Sequence, residues 1–327
     1  MLSLRRAARV TFSIDQSGMI SNPAILKSKI PRVLIVGGSG RLGRLLRRAI
    51  GAGDLAARSG VDLIWQGRMA GAGADLVFDP LGAASAYARA AGAVDVIFNL
   101  AGVTAGSEAD LALNADLALA ALAAVESTAE ATGAASGRLP VLLASSAAVY
   151  GAATGRLDEA ALAVPTAPYG HAKLAMEAAS LARAQAHGTP LCCLRIGNVA
   201  GADALLGQPA PQGGRVLDTF ADGRAPRRSY IGPTALARAV LTLARRAAEG
   251  EALPDRLNLA LPGAVGMDDL LRARGEGWTR RPAPASAIAE VCLEVCCAVA
   301  LGLVPAEPAN AAAIVADLDA ALREGTS

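Results

Sequence analysis

At 327 residues, with 53% hydrophobic content and a positive mean hydropathy, the chain has material for one large domain or two closely joined ones. A formal net charge of +2, no basic block and 3% aromatic residues argue against nucleic-acid binding. The five cysteines (Cys192, Cys193, Cys292, Cys296, Cys297) form no CxxC pair and lie far in sequence from His171 and His187, so no metal site is expected. Buried thiols in a reducing, cytoplasmic setting are the ordinary reading.

The opening "MLSLRRAARVTFSIDQSGMISNPAILKSKIP" has no acid before Asp15 and lacks the apolar core and cleavage site of a secretory signal. Residues 1–30 read as a flexible arm, or as the product of a start codon placed too early. From Pro31 the pattern changes. "RVLIVGG" is a buried strand followed by a helix through "RLGRLLRRAI", and "VDLIWQG" and "ADLVFDP" are the second and third strands. "VDVIFNLAG" is a fourth, followed by a helix over 108–131. "LPVLLASSAAVYG" is a fifth, followed by a helix over 169–187, and "PLCCLRIGNVAG" is a sixth. Apolar strands bounded by glycine and alternating with helices predict a parallel sheet covered on both faces, a doubly wound α/β fold of Rossmann type. After Gly201 the rhythm breaks: 201–232 reads as irregular, 233–249 as a helix, "RLNLAL" as one more strand, and 267–327 as helices with loops. The apolar run near 295–305 is too short to span a bilayer, and no membrane segment is expected. The predicted organisation is a nucleotide-binding domain over 31–200, with 233–260 returning to it. A smaller, partly interleaved portion (201–232 and 261–327) lies over its mouth.

"VLIVGGSGRLGRLL" sets Gly37, Gly40 and Gly43 in GxxGxxG spacing, with Arg41 and Leu42 between the last two, directly after a strand and opening a helix. Glycine permits the tight turn and close approach, and the helix N-terminus offers free N–H groups to a pyrophosphate. That context makes a dinucleotide the expected ligand. At the end of the second strand, "IWQGRMAG" carries Gln66, Gly67 and Arg68 where an acid would favour NAD. Arg68, with Arg41 in the glycine loop, suits a ribose 2′-phosphate, so NADP is favoured with NAD as the alternative. Asp79 is either an acceptor for the adenine amino group or a turn former before Pro80.

Only three of the 31 basic residues are lysines, Lys27, Lys29 and Lys173. Lys173 stands four residues after Tyr169 in "APYGHAKLAMEA", so the two share one helix face. A tyrosine near its reference pKa of about 10 is a poor base, and a neighbouring ammonium should lower that value. Such a pair makes a proton donor or acceptor for an alcohol–carbonyl conversion. Ser146, at the end of the fifth strand, is in place to hold the reacting oxygen against Tyr169. His171 falls on a different face and is expected at the surface.

In its ordered pieces "GGSGRLG", "NLAG", "SSAAVYG", "PYGHAK", "LRIGNVAG" and "RRSYIGPTALARAV", over about residues 31–260, the chain resembles an extended short-chain dehydrogenase/reductase of the NAD-dependent epimerase/dehydratase family. The resemblance implies Tyr169 as catalytic acid/base, Lys173 as its partner and ribose ligand, and Ser146 as the catalytic Ser/Thr. It further implies Gly37, Gly40 and Gly43 on the pyrophosphate, Ala101 and Gly102 along the cofactor, Asn198 on substrate and Arg228 on substrate phosphate. Arg228 is equally readable as a surface charge, and Asn114 as purely structural. The smaller portion would then bind substrate, with Trp278, Arg280 and Arg281 as possible contacts, and pairing through the helices after the fourth and fifth strands implies a homodimer.

Sugar 4,6-dehydratases of this family carry an Asp-Glu pair just after the catalytic Ser/Thr; here Ala147 and Ala148 stand there, which disfavours elimination. The expectation is therefore a nucleotide-sugar epimerase or oxidoreductase, with an NADPH-dependent carbonyl reductase as the alternative. A cofactor-binding regulator without turnover is the reading from another class.

Overall fold

Alternation along the first strand decides which face of the sheet meets which helices. In the computed structural model, which describes residues 30–71, 73–132, 139–153, 155–212 and 214–323, β1 (Arg32–Val36) is buried from Val33 onward. Val33 and Ile35 join one apolar cluster and Leu34 and Val36 the other, because successive side chains of a strand point to opposite faces. The arm expected over 1–30 lies, but for Ile30, outside the described residues, and from Pro31 the chain forms one compact unit.

After β1 come α1 (Arg41–Ala52), α2 (Leu55–Ser59), β2 (Asp62–Gly67), β3 (Leu76–Val77), α3 (Ala84–Ala91), β4 (Val96–Asn99) and α4 (Glu108–Thr132). Then follow β5 (Val141–Ser146), a 3-10 turn (Ala147–Val149), α5 (Pro168–His187), β6 (Leu191–Ile196) and β7 (Asn198–Val199). The chain continues through β8 (Arg215–Thr219), β9 (Arg227–Arg228), β10 (Tyr230–Ile231), α6 (Pro233–Ala248) and β11 (Arg256–Leu259). It ends with β12 (Val265–Gly266), α7 (Met267–Arg274), β13 (Trp278–Pro282), β14 (Glu290–Val291), α8 (Cys296–Ala300) and α9 (Ala311–Arg323).

Seven strands form one parallel sheet in the order β11-β6-β5-β4-β1-β2-β3. Helices α1, α6 and α9 pack together on one side, and α3, α4 and α5 on the other. The chain runs outward from β1 to β3 and then crosses back to β4, leaving a crevice beyond the carboxyl ends of β1 and β4. Such a switch point is where open α/β sheets bind ligands. Helix α4 is long and apolar enough to cross a membrane by length and composition, yet it lies against β4, β5, α3 and α5.

Two expectations need correction. The stretch 201–232 contains three short strands, with β10 beside β7 and β8 beside β13. The terminal region, expected to be helices and loops, contributes β13 and β14 as well as α7, α8 and α9. Their partners lie far away in sequence, as with Arg215 opposite Trp278, and runs of two to five residues show no readable alternation.

Candidate active site

Helix α1 begins at the switch point with nothing of its own to satisfy it. Its N-cap is Gly40, no side chain caps it, and its first turn holds no acid. The Gly40 N–H bonds Gly37 O at 3.0 Å, so the amides of Arg41, Leu42 and Gly43, with the partial positive charge of the helix start, are left for an anion. Gly37 has φ +84°, and a Cβ there would sit 2.7 Å from the Ala101 nitrogen. At Gly43 a Cβ would meet Gly37 O and the Gly38 backbone at 2.7 Å. Both glycines are therefore needed to close the loop on β4 and α1, whatever the ligand. A buried residue passed over in the sequence, Gln66, ties this loop down: its Oε1 accepts the Gly37 N–H at 2.9 Å and its Nε2 donates to Phe78 O.

A cleft of about 390 Å³ joins this loop to the ends of β5 and β6. Gly37, Gly40, Arg41, Leu42, Gly43, Gly102, Ser146, Tyr169, Lys173 and Asn198 all line it. Ala101 backs Gly37 and gives its N–H to Asn99 Oδ1 at 3.0 Å. Asn114 also reaches the cleft, but its amide is fully used on Val103 N, Val103 O and Leu111 O, which fixes the loop after β4.

Arg68, Asp79 and Arg228 do not line this cleft. Arg68 is exposed just past β2. Asp79 Oδ1 accepts the Leu81 N–H at 3.1 Å, the geometry of a turn former. Arg228 is half-buried and donates to the carbonyls of Arg227, Ile288 and Ala289 at 2.7, 2.8 and 3.3 Å. The Arg41 guanidinium contacts Ala202 O at 3.3 Å, in the loop after β7, on the other side of β1 from β2. His171 is exposed, as expected, and no cluster of metal-binding side chains occurs among the described residues.

The Tyr169 phenol faces the Ser146 hydroxyl, which accepts the Ala148 N–H at 3.2 Å. The Lys173 ammonium donates to Ala144 O at 2.8 Å, lies 3.6 Å from Met176 Sδ and stands 5.9 Å from the Tyr169 ring centre. The expected electrostatics are corrected here. Burial raises the Tyr169 pKa above its ordinary value, and the lowering influence comes from the Ser146 hydrogen bond. Lys173, 4% exposed, is itself pushed down to about 8 by burial, with Cys193 and Glu177 opposing the shift. Burial thus disfavours the charged form of both groups, and the phenol stays protonated at neutral pH.

A second groove, lined by Phe220, Arg280, Arg281 and Pro284 among others, shares no residue with this cleft; Trp278 does not line it.

Residues 33–259 match the NAD dependent epimerase/dehydratase family. No curated protein matches the chain. Among solved structures, a Stenotrophomonas maltophila UDP-glucose-4-epimerase with bound NAD and formylated UDP-arabinopyranose is 21% identical, with a TM-score of 0.69, covering 90% of this chain and 98% of that one. The NAD complex of Brucella ovis UDP-glucose 4-epimerase is 20% identical, with a TM-score of 0.68, covering 87% and 96%. TunA, an NAD-dependent NDP-hexosamine 5,6-dehydratase, is 19% identical, with a TM-score of 0.68, covering 90% and 98%. Likeness at that identity shows the fold, and the family match over more than half the sequence shows the kinship: the chain is a member of the NAD-dependent epimerase/dehydratase family.

Proposed function

We propose that the protein is an NAD(P)-dependent oxidoreductase or epimerase that moves a hydride on a nucleotide sugar or related alcohol/carbonyl substrate, with Tyr169 as acid/base. One observation carries this reading: a single cleft brings the uncapped glycine-loop helix end together with Ser146, Tyr169 and Lys173. The residues fit a dinucleotide, since Gly37, Gly40 and Gly43 put no side chain between the loop backbone and a diphosphate. When bound, the nicotinamide dinucleotide supplies the hydride donor or acceptor.

The chain's own groups do the rest. Backbone N–H groups of Arg41, Leu42 and Gly43 bind the pyrophosphate, with Gly40 leaving room for it, and Ala101 and Gly102 run alongside. The Ser146 hydroxyl holds the reacting oxygen, and Tyr169 gives or takes the proton there. Lys173 keeps a donor free for a ribose hydroxyl while bonded to Ala144 O. Asn198 contacts substrate from the wall opposite the glycine loop, and residues 201–232 and 261–327 enclose it. Arg228 reaches a substrate phosphate by exchanging one of its carbonyl partners.

Gln66 is spent inside the fold and β2 ends without a carboxylate, so Arg68 tilts the choice toward NADP, with NAD as the alternative. Ala147 and Ala148 form the turn after Ser146 and bring no carboxyl group for elimination. A second reading, an NADPH-dependent carbonyl reductase, draws on the raised Tyr169 pKa, which suits protonation of a carbonyl oxygen.

Calorimetric titration with NAD(H) and NADP(H), beside an Arg68→Ala variant, tests the cofactor. NADPH binding weakened about tenfold by the substitution supports the reductase. NAD retained through purification supports the epimerase, and substrate screens with UDP-sugars and with aldehydes then separate the two. A chain that binds neither nucleotide refutes the reading and leaves a non-enzymatic role.

A further inference from the structure

Three consecutive residues at the end of β5 each face a different turn of α5, and two of them are hydrogen-bonded to it. Ala144 O accepts from Lys173 Nζ, Ser145 Oγ donates to Glu177 Oε1 at 2.5 Å, and Ser146 Oγ meets the Tyr169 phenol. Tyr169, Lys173 and Glu177 follow at i, i+4 and i+8, one face of the helix. The third rung has no place in the mechanism above, yet it is built at the highest cost. Glu177 is fully buried, and its carboxylate takes Arg195 Nη2 at 2.8 Å and Arg195 Nε at 3.1 and 3.2 Å, with Arg195 3% exposed. Arg256 Nε stands 3.5 Å away. Ionic groups this dry persist only when fully paired.

We propose that Glu177 is a positioning residue of the active site: through Ser145 it holds the Ala144 carbonyl and the Ser146 hydroxyl in register with Lys173 and Tyr169, and its charge acts on the Lys173 ammonium. This rests on the triad reading above. Burial is the largest influence on Lys173, and among the groups around it Glu177 is the one that is charged and stands on the next turn of the same helix. Tyr169, on the same helix, and Cys193, on β6, both face it; burial pushes the Cys193 thiol up to about 12 and the phenol above its usual range, so both are uncharged near neutrality. Gly102 and Asn114, near the ammonium, carry no charge. Arg195 and Arg256 reach the neighbourhood as partners of Glu177.

The composition makes the test direct, because the full chain has three lysines and four tyrosines. Protein labelled with ¹³C at lysine Cε and tyrosine Cζ gives few signals, and Lys173→Met and Tyr169→Phe assign the two that matter. In Glu177→Gln the Lys173 midpoint should fall by about one unit, since an anion one turn away is lost. In Ser145→Ala, which leaves the Glu177–Arg195 pair intact, the Lys173 midpoint should stay within about 0.3 unit while the Tyr169 midpoint rises. With a turned-over substrate, kcat should then drop about tenfold with KM little changed, and Ser145→Thr should restore most of it. A folded Glu177→Gln with an unmoved Lys173 midpoint overturns the charge role. A Ser145→Ala with an unmoved Tyr169 signal overturns the register role, and does so even where Glu177→Gln does not fold. If no substrate turns over, the enzymatic reading fails, while the two titrations still decide this one.

Discussion

At the residue scale, burial governs the titration of the two polar groups at the start of α5. Burial holds Tyr169 above its usual pKa, so replacing it should remove the proton transfer and little else. Tyr169→Phe is expected to lower kcat by about 10²–10⁴-fold, the range of general acid–base catalysis, with nucleotide Kd within about threefold of the parent; single-turnover kinetics and calorimetry check this. Lys173 gives a pH signature whose sign follows from its shift from 10.5 to about 8. Its ammonium, proposed above to bind the ribose, is lost as pH rises through about 8, so kcat/KM should fall there. Stability moves the opposite way. Below pH 8 the native state carries a desolvated cation that the unfolded chain hydrates freely, so folding is penalised by about 3 kcal/mol, and the penalty is relieved between pH 8 and 10.5. Urea unfolding across that window should show a rising contribution in the parent that is absent in Lys173→Met.

At the scale of elements, the glycine loop separates glycines needed for the fold from one left for the ligand. A Cβ at Gly43 would press on three backbone atoms at 2.7 Å, and none of them is the tip of a flexible side chain. Gly43→Ala should therefore cost about 2 kcal/mol or more, read as a lowered Tm. Gly40 has φ −70° and ψ 171°, and a Cβ there would approach only Gly37 O, at 3.2 Å. Gly40→Ala should keep nearly the parental Tm yet bind dinucleotide at least tenfold more weakly, because the methyl stands at the uncapped helix end. This loop was legible in the sequence because a strand, a glycine spacing and a helix encode it within fifteen residues. The helices over 108–131, 169–187 and 233–249 were legible for the same local reason, and each ends within one residue of its observed boundary. The partners that hold the site were not legible. Gln66 registered only as a missing acid, yet it bonds Gly37 29 positions away; Glu177 meets Ser145 across 32 positions and Tyr150 meets Asn258 across 108. No local pattern encodes such pairs, and buried glutamate and glutamine look like surface residues until the fold brings their partners. The same distance hid the β8–β13 pairing.

For the whole molecule, the unanswered question is what covers α4. A helix apolar all round normally ends in a core. The most apolar 18-residue stretch of α4 has a mean hydropathy of 1.3, yet only 39% of it is buried within this chain, against α3, α5 and the sheet. On the neighbouring α5, Ala175, Ala178, Ala182 and Ala186 are all exposed, giving a face without bulk or charge where another helix can approach closely. A second copy presenting the same two helices satisfies both faces at once through a two-fold axis, since such an interface uses one patch twice. The expected species in solution is therefore a dimer of about 66 kDa, twice the 32.8 kDa of one chain, measured by light scattering at micromolar concentration. Ala178→Glu should convert it to the 32.8 kDa species, because a carboxylate placed at the centre of the pair loses its water without gaining a cation. The cleft meets the N-terminal turns of α5 around Tyr169 and the buried Lys173, whereas Ala178 is exposed, so the dissociated variant should still bind dinucleotide. A parent chain that already runs as a monomer would leave the apolar flank of α4 to some other partner and end the dimer argument.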